Sequence, residues 1–304
     1  MSSPTPSSFS RPAMRVLLLC IIVIALVSPA AVAAQDAPER SDEPRADTTS
    51  DDTLAALRAT HRLSSPVERG GVELPAAVAV LPGTTINTPT AFGARWGQVY
   101  AGASVQERIR YADWTDGVVT MGAGFGDPEK WVGLDVTLNI LDTYTELAKD
   151  RSVSLKLHRR LPASAAIAVG WENIWHTEGT DGGSSPYAVV SKSARLHDGG
   201  PWVPFGVMAA SVGVGGDRFQ SEGAFLRGDT GAGVFGSLAV RLLRPVHAIA
   251  NWTGQDLSLG MSITPLPRLP IVITPALMDV TGRAGDGVRF SMSAAIIYDF
   301  NAGS

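Results

Sequence analysis

Between Arg289 and Phe300 the side chains alternate without a break: Phe290, Met292, Ala294, Ile296, Tyr298 and Phe300 on one face, with Arg289, Ser291, Ser293 and Asp299 on the other. A period of two is that of an extended strand with one face continuously in an apolar medium. The same alternation runs through 132–140, where Val132, Leu134, Val136, Leu138 and Ile140 oppose Gly133, Asp135, Thr137 and Asn139. It recurs at 153–158 and 257–264, and in weaker form near 99–106, 118–125, 165–174, 186–193, 204–215, 232–242, 246–253 and 270–280. The pattern predicts twelve strands, several of them near the 9 to 11 residues that a tilted strand needs to cross a bilayer. A soluble sandwich has no need of so many strands of that length. The fold class expected is therefore all-β, a single-chain antiparallel transmembrane β-barrel of about twelve strands over residues 92–300.

The spacing of the strands supplies a second test. If the N-terminus is periplasmic, the periplasmic turns fall near 126–131, 159–164, 194–203, 243–245 and 265–269, and most are short. The opposite connections, near 107–117, 141–151, 175–185, 216–231 and 281–288, are longer and rich in Gly, Asp, Ser and Thr, with Thr253-Gly254-Gln255 as a tight exception. Short periplasmic turns with long external loops are the habit of outer-membrane barrels.

Ahead of the strands the chain changes character. Arg11 and Arg15 precede an apolar run from Val16 to Val27, followed by small residues and the cleavage-like Ala31-Val32-Ala33, so residues 1–34 read as a removable export signal. Cleavage there removes Cys20, the only cysteine, and with it thiol chemistry. Residues 35–52 carry seven acidic and two basic residues with almost no bulky apolar side chain, the composition of a mostly disordered tether. Within the tether region 35–70, Leu54, Leu57 and His61 stand at helical spacing in a possible short helix over 51–63. Residues 71–91 are charge-poor and interrupted by Pro75, Pro82 and Pro89. They form either an extended lead-in or a plug lying against or inside the barrel.

Composition alone points elsewhere. A formal charge of −4, 45% hydrophobic residues and a mean hydropathy of +0.11 suit an ordinary soluble protein. Alternating faces cancel in any sliding window, so average hydropathy is blind to barrels. The 32 glycines and 20 prolines agree with many strands and turns, and the negative charge gives no reason to expect a nucleic-acid partner.

The last strand, with its alternating apolar residues and Tyr298 and Phe300 near the end, resembles the C-terminal signature of Gram-negative outer-membrane β-barrel proteins. That resemblance implies a place in the bacterial outer membrane with the N-terminus periplasmic, contact with outer-membrane lipid, and recognition by the barrel assembly machinery through Tyr298 and Phe300. Asn301 to Ser304 depart from it, since the family usually ends on the aromatic residue. Trp252-Thr253-Gly254-Gln255-Asp256-Leu257-Ser258-Leu259-Gly260 also resembles a strand-turn-strand motif of barrels associated with exopolysaccharide production.

Motifs for chemistry are few. Gly231-Ala232-Gly233-Val234-Phe235-Gly236 has the glycine spacing of a dinucleotide loop, but a strand follows it and no helix N-terminus is offered to a pyrophosphate. Asn251-Trp252-Thr253 fits a glycosylation sequon at the end of a strand, a chance match. His158 shares a face with Ser154 and Lys156, and His247 with Asn251 near Asp256, but a nucleophilic triad is defined by geometry rather than by such proximity in sequence. His176 and His197 lack metal-ligand spacing, so neither a cofactor nor a metal is expected. The strand parity turns Asp135, Asn139, Lys156, His158, Glu172, Arg241, Asn251, Asp256, Arg289 and Asp299 toward the lumen. Charges of both signs there either pair across the lumen or line a weakly selective polar path. Three functions follow, in order of preference: a narrow channel or passive pore for small polar solutes, a non-enzymatic envelope-binding or structural barrel with a partner held through residues 35–91, and a lipid-modifying barrel enzyme.

Overall fold

The computed structural model describes residues 83–108, 115–141, 150–177, 183–197, 204–227, 229–266, 270–282, 284 and 287–301. The export signal, the tether and its short helix, and residues 71–82 of the lead-in lie outside them. Twelve strands are present: β1 Gln98–Gln106, β2 Asp116–Gly126, β3 Gly133–Ile140, β4 Arg151–Leu161, β5 Ala165–His176 and β6 Ser185–Arg195 form the first half. The second half is β7 Val207–Gly215, β8 Gly233–Leu243, β9 Val246–Trp252, β10 Leu257–Ile263, β11 Ile271–Met278 and β12 Arg289–Asp299. A one-turn 3-10 segment, Asp217–Phe219, and the short helix α1, Glu222–Arg227, fill the β7–β8 connection.

Each strand pairs antiparallel with its sequence neighbours, and β1 closes the sheet on β12. Closure satisfies every edge, the condition under which strands can stand in hydrocarbon. The register is continuous apart from bulges on β5, between Trp171 and Trp175 opposite Val153–Leu155 of β4, and on β8, between Arg241 and Leu243. Strand ends have local causes. Phe205 takes a positive φ of 62°, so β7 starts at Val207 rather than at 204. Asp279, at φ 50°, ends β11 at Met278, and Thr253 leaves β9 because its Oγ1 accepts the backbone N–H groups of Gln255 and Asp256. In the β2–β3 turn Asp127 accepts the N–H groups of Glu129 and Lys130, which holds its carboxyl below the usual carboxylate range.

The burial pattern is inverted relative to a soluble protein. Outward positions such as Val169, Val190, Val212 and Val234 are exposed, whereas Ser191, Ser258, Ser262 and Asn251 on the inner parity are buried. Aromatic side chains mark both rims of the outer face. Trp96, Phe125, Trp131, Tyr298 and Phe300 stand at the end where β1 begins, with Trp171, Trp175, Trp252 and Phe290 at the other, all exposed. From Phe290 to Tyr298 is eight residues along β12, about 26 Å of strand at ~3.3 Å per residue and about 20 Å of height at a tilt near 40°. Two aromatic girdles around an apolar band of that height match a membrane-spanning barrel.

Tyr298 and Phe300 pack edge to face at 4.9 Å on the outside, and the Phe300 N–H is held by the Gly97 carbonyl. Replacing Phe300 by a polar residue, or ending the chain after Ile297, is expected to cut membrane insertion sharply and leave periplasmic aggregate. Normal outer-membrane levels of both variants, measured by fractionation and heat-modifiability on gels, would remove the assembly role of this strand.

Candidate functional site: the lumen and its strap

Twelve strands about 4.8 Å apart, tilted near 40°, enclose a circle about 24 Å across between opposite backbones. What fills that circle decides what the barrel can do. One inner row runs in direct cross-strand register through Ser191, Ser211, Ser237, Asn251 and Ser258 on β6 to β10. It forms a belt of hydroxyl and amide groups on the wall, and Ser191 and Ser211 are bonded to each other at 2.7 Å.

Residues 83–95 lie on this wall as a strap. Gly83 N–H donates to Ser262 Oγ at 2.6 Å. Asn251, wholly buried, then accepts Thr85 Oγ1–H, Thr88 Oγ1–H and Ile86 N–H on its Oδ1, at 2.7, 2.8 and 3.3 Å, and donates to Asn87 Oδ1 at 2.7 Å. Ala91 N–H donates to Ser191 Oγ, Lys156 Nζ to the Phe92 carbonyl, and His158 Nε2 to the Ala94 carbonyl at 3.1 Å. Arg95 ends the strap on Asp299 at 3.1 Å. The fit leaves no room for side chains at two glycines. A Cβ on Gly93 would lie 2.7 Å from the His158 ring, and one on Gly124 would lie 2.3 Å from the Ala94 backbone.

Apart from Arg241, the expected lumen charges are paired with neighbours. Lys156 meets Asp135 at 3.4 Å from the adjacent strand, and Arg289 meets Asp256 at 3.5 Å. Glu172 is held by Arg218 of the β7–β8 connection, which also donates to the Asn87 carbonyl at 2.8 Å. The pairing is thus along the wall and onto the strap and the folded-in connection, rather than across an open lumen, because β-sheet neighbours stand about 5 Å apart whereas opposite walls do not. Arg241 has no ion pair among the described residues, and its Nε is buried without a partner. It stands in register with His247, whose Nδ1 likewise has none. Asn139 bonds Thr120 and Ser152.

The wall is not polar throughout. Tyr187, Val189, Ala166, Ala168 and Phe235 turn inward and pack with Ala91, Phe92 and the wholly buried Phe219, whose ring stacks on Phe235 at 4.3 Å. The strict apolar-out, polar-in alternation therefore gives way on β5, β6 and β8, where the strap and the 3-10 turn bring apolar side chains of their own. The turn comes so close that a Cβ on Gly233 would lie 1.8 Å from the Phe219 carbonyl oxygen. Gly233 and Gly236 of the glycine-spaced motif thus serve a crowded wall, Gly236 facing the Ser211 carbonyl in the same way. The sequon asparagine is the buried hub of the strap, and Asp256 bonds Thr253, Ser258 and Arg289 instead of His247.

Phe219 and Arg218 lay outside the lumen residues expected from the sequence, whereas the hydroxyl-rich stretch 84–90 belongs to the segment 71–91 expected either as a lead-in or as a plug. Strand parity says nothing about loops that fold inward. The available signal was the run Thr84-Thr85-Ile86-Asn87-Thr88-Pro89-Thr90, rich in hydrogen-bonding side chains and free of charge, as suits a segment meant for a polar cavity.

Comparison with known proteins adds little beyond shape. No family model matches the sequence, and no curated protein matches it. Among solved structures the chain is similar to a KdgM porin, with 8% identity and a TM-score of 0.39 over 67% of this chain and 99% of that one. A KdgM porin in complex with disordered oligogalacturonate gives the same values. At that identity and score, neither likeness bears on what this chain binds or passes.

Proposed function

We propose that this chain is a bacterial outer-membrane channel for small polar solutes, its lumen narrowed by the strap 83–95 and by the turn at Phe219. One observation carries the reading: a closed twelve-strand barrel whose obstruction is held on the belt largely by hydrogen bonds that water can replace. The apolar outer band and its two girdles support the membrane; the N-terminal end is taken as periplasmic, with the short turns. Small or intermittent conductance with weak ion preference is expected in planar bilayers.

Arg241 is the cleaner probe of that preference, since Lys156 also anchors the strap. Arg241→Glu is expected to move the reversal potential toward cation preference in a salt gradient, and the shift is expected to shrink as salt rises because the charge acts through a partly aqueous lumen. Lys156→Glu is expected to do the same and to raise open probability, because it repels Asp135 and frees the Phe92 carbonyl. No current from wild type or from a variant lacking residues 35–91 would overturn the channel. The apolar packing of Ala91 and Phe92 on Phe219 and Phe235 favours a second reading in that event, a permanently closed barrel with an envelope-binding role.

A further inference from the structure

The outer wall carries a second feature, separate from the lumen. On β4 to β8 an apolar groove of about 770 Å³ is lined by Leu157, Ile167, Val169, Ala188, Val212 and Val234, with Arg159 on its border. That volume lies within the range of small-molecule sites, ~300–1,000 Å³. The groove exists because a small side chain stands in a row of large ones: Leu157, Val169, Ala188, Val214 and Val234 are in direct cross-strand register, with Ala188 at the centre.

The charge beside it is one-signed. Among the described residues every strand carboxylate, namely Asp116, Asp135, Glu172 and Asp299, has the inner parity, whereas Arg159 and Lys192 have the outer parity and are exposed. Neither side chain has a hydrogen-bond or ion-pair partner among the described residues. By register Arg159 pairs with Ile167 and Ile167 with Val190, one outward-facing step from Lys192, so the two Cα atoms are about 12 Å apart and both long side chains can reach one group between them. Both stand near the ends of their strands, two residues before Leu161 and three before Arg195, at the rim that carries Trp131. An uncompensated cation on the lipid face is unfavourable, less so near the interface; a phosphate placed there removes the penalty, and the guanidinium fork suits it.

We propose that this groove is a binding site for one anionic glycerophospholipid of the leaflet at the strap end, its phosphate held by Arg159 and Lys192 and one acyl chain lying over Ala188. The site rests on the membrane-spanning reading but not on conduction. The test is native mass spectrometry of the full chain released from nanodiscs containing equal phosphatidylglycerol and phosphatidylcholine. Wild type is expected to retain phosphatidylglycerol at least fivefold over phosphatidylcholine. The double variant Arg159→Gln, Lys192→Gln is expected to bring the ratio to one, and Ala188→Leu, which fills the groove, to lower retention of both lipids. Three results would overturn the site: a wild-type ratio of one, a ratio unchanged in the double variant, or a dimer mass that Ala188→Leu abolishes, since a second copy would then be the occupant. Failure of the folded barrel to enter nanodiscs at all would overturn the membrane reading along with the site, whereas entry without lipid preference overturns the site alone.

Discussion

Arginine at Ala294 is expected to destabilise the inserted barrel by about 2–4 kcal/mol, as for lipid-facing positions near the bilayer midplane, and arginine at Leu134, level with the rim girdle, by less. Leu134 stands in register between Phe125 and Leu157 on the outer face, and Ala294 lies between Ala103 and Ile273 at mid-height of β12. The inward neighbours Ser293 and Asp135 serve as controls. Ser293→Arg is expected to be far milder. Asp135→Arg is expected to differ in kind, because it turns the contact with Lys156 into a repulsion and removes the acceptor of Tyr100 Oη–H and Ala94 N–H; its effect should appear in strap release and conductance more than in insertion. Urea unfolding from lipid vesicles measures the difference. Equal losses for Ala294→Arg and Ser293→Arg would mean that the alternation does not separate lipid from lumen, and the same comparison in detergent guards against a soluble core giving the same ranking.

The second large effect concerns Asn251. Its carboxamide serves Thr85, Ile86, Asn87 and Thr88 at once, and an aliphatic side chain of similar size can serve none of them. Asn251→Leu leaves several buried polar groups of the strap without partners, at about 1–3 kcal/mol for each group that water does not reach. The strap is therefore expected to leave the belt for much of the time, and single-channel recordings should change from brief openings to long ones of several-fold larger conductance. Ser191→Ala, which loses a single strap bond, from Ala91 N–H, together with the wall bond to Ser211, should give an intermediate record. Unaltered conductance in Asn251→Leu would show that the strap does not limit the current and would leave Phe219 and the connection before α1 as the constriction.

These two expectations differ in how far the sequence alone could reach them. Twelve strands, the closing antiparallel order and the outward face of β3 and β12 follow from period-two alternation, because the membrane imposes one rule on every outward position. Errors at strand ends came from turn chemistry at single residues, such as the positive φ at Phe205 and Asp279. The interior answers to no such rule. Whether an inward serine faces water or receives a strap depends on a segment a hundred or more residues away, as with Ser262 and Gly83 or Ser191 and Ala91. The polar residues of the lumen could be named from parity, but the aromatic cluster of Tyr187, Phe219 and Phe235 could not, since one member comes from a connection with no periodicity.

The path of the strap has a mechanical consequence. Gly83 sits on Ser262, one residue from the end of β10, and Arg95 on Asp299, the last residue of β12, so both limbs stand at the same mouth while the bend at Asn87 reaches Arg218 near the other. A loop that enters and leaves by one opening is not threaded, and it can be withdrawn from a closed barrel without breaking any strand pair. Tension on the chain ahead of Gly83 would load its anchors in sequence, first Ser262, then Asn251, then Ser191, peeling them singly instead of shearing them together. Such a latch resists thermal agitation through the sum of its bonds, yet yields to a pull that need only exceed the strongest of them.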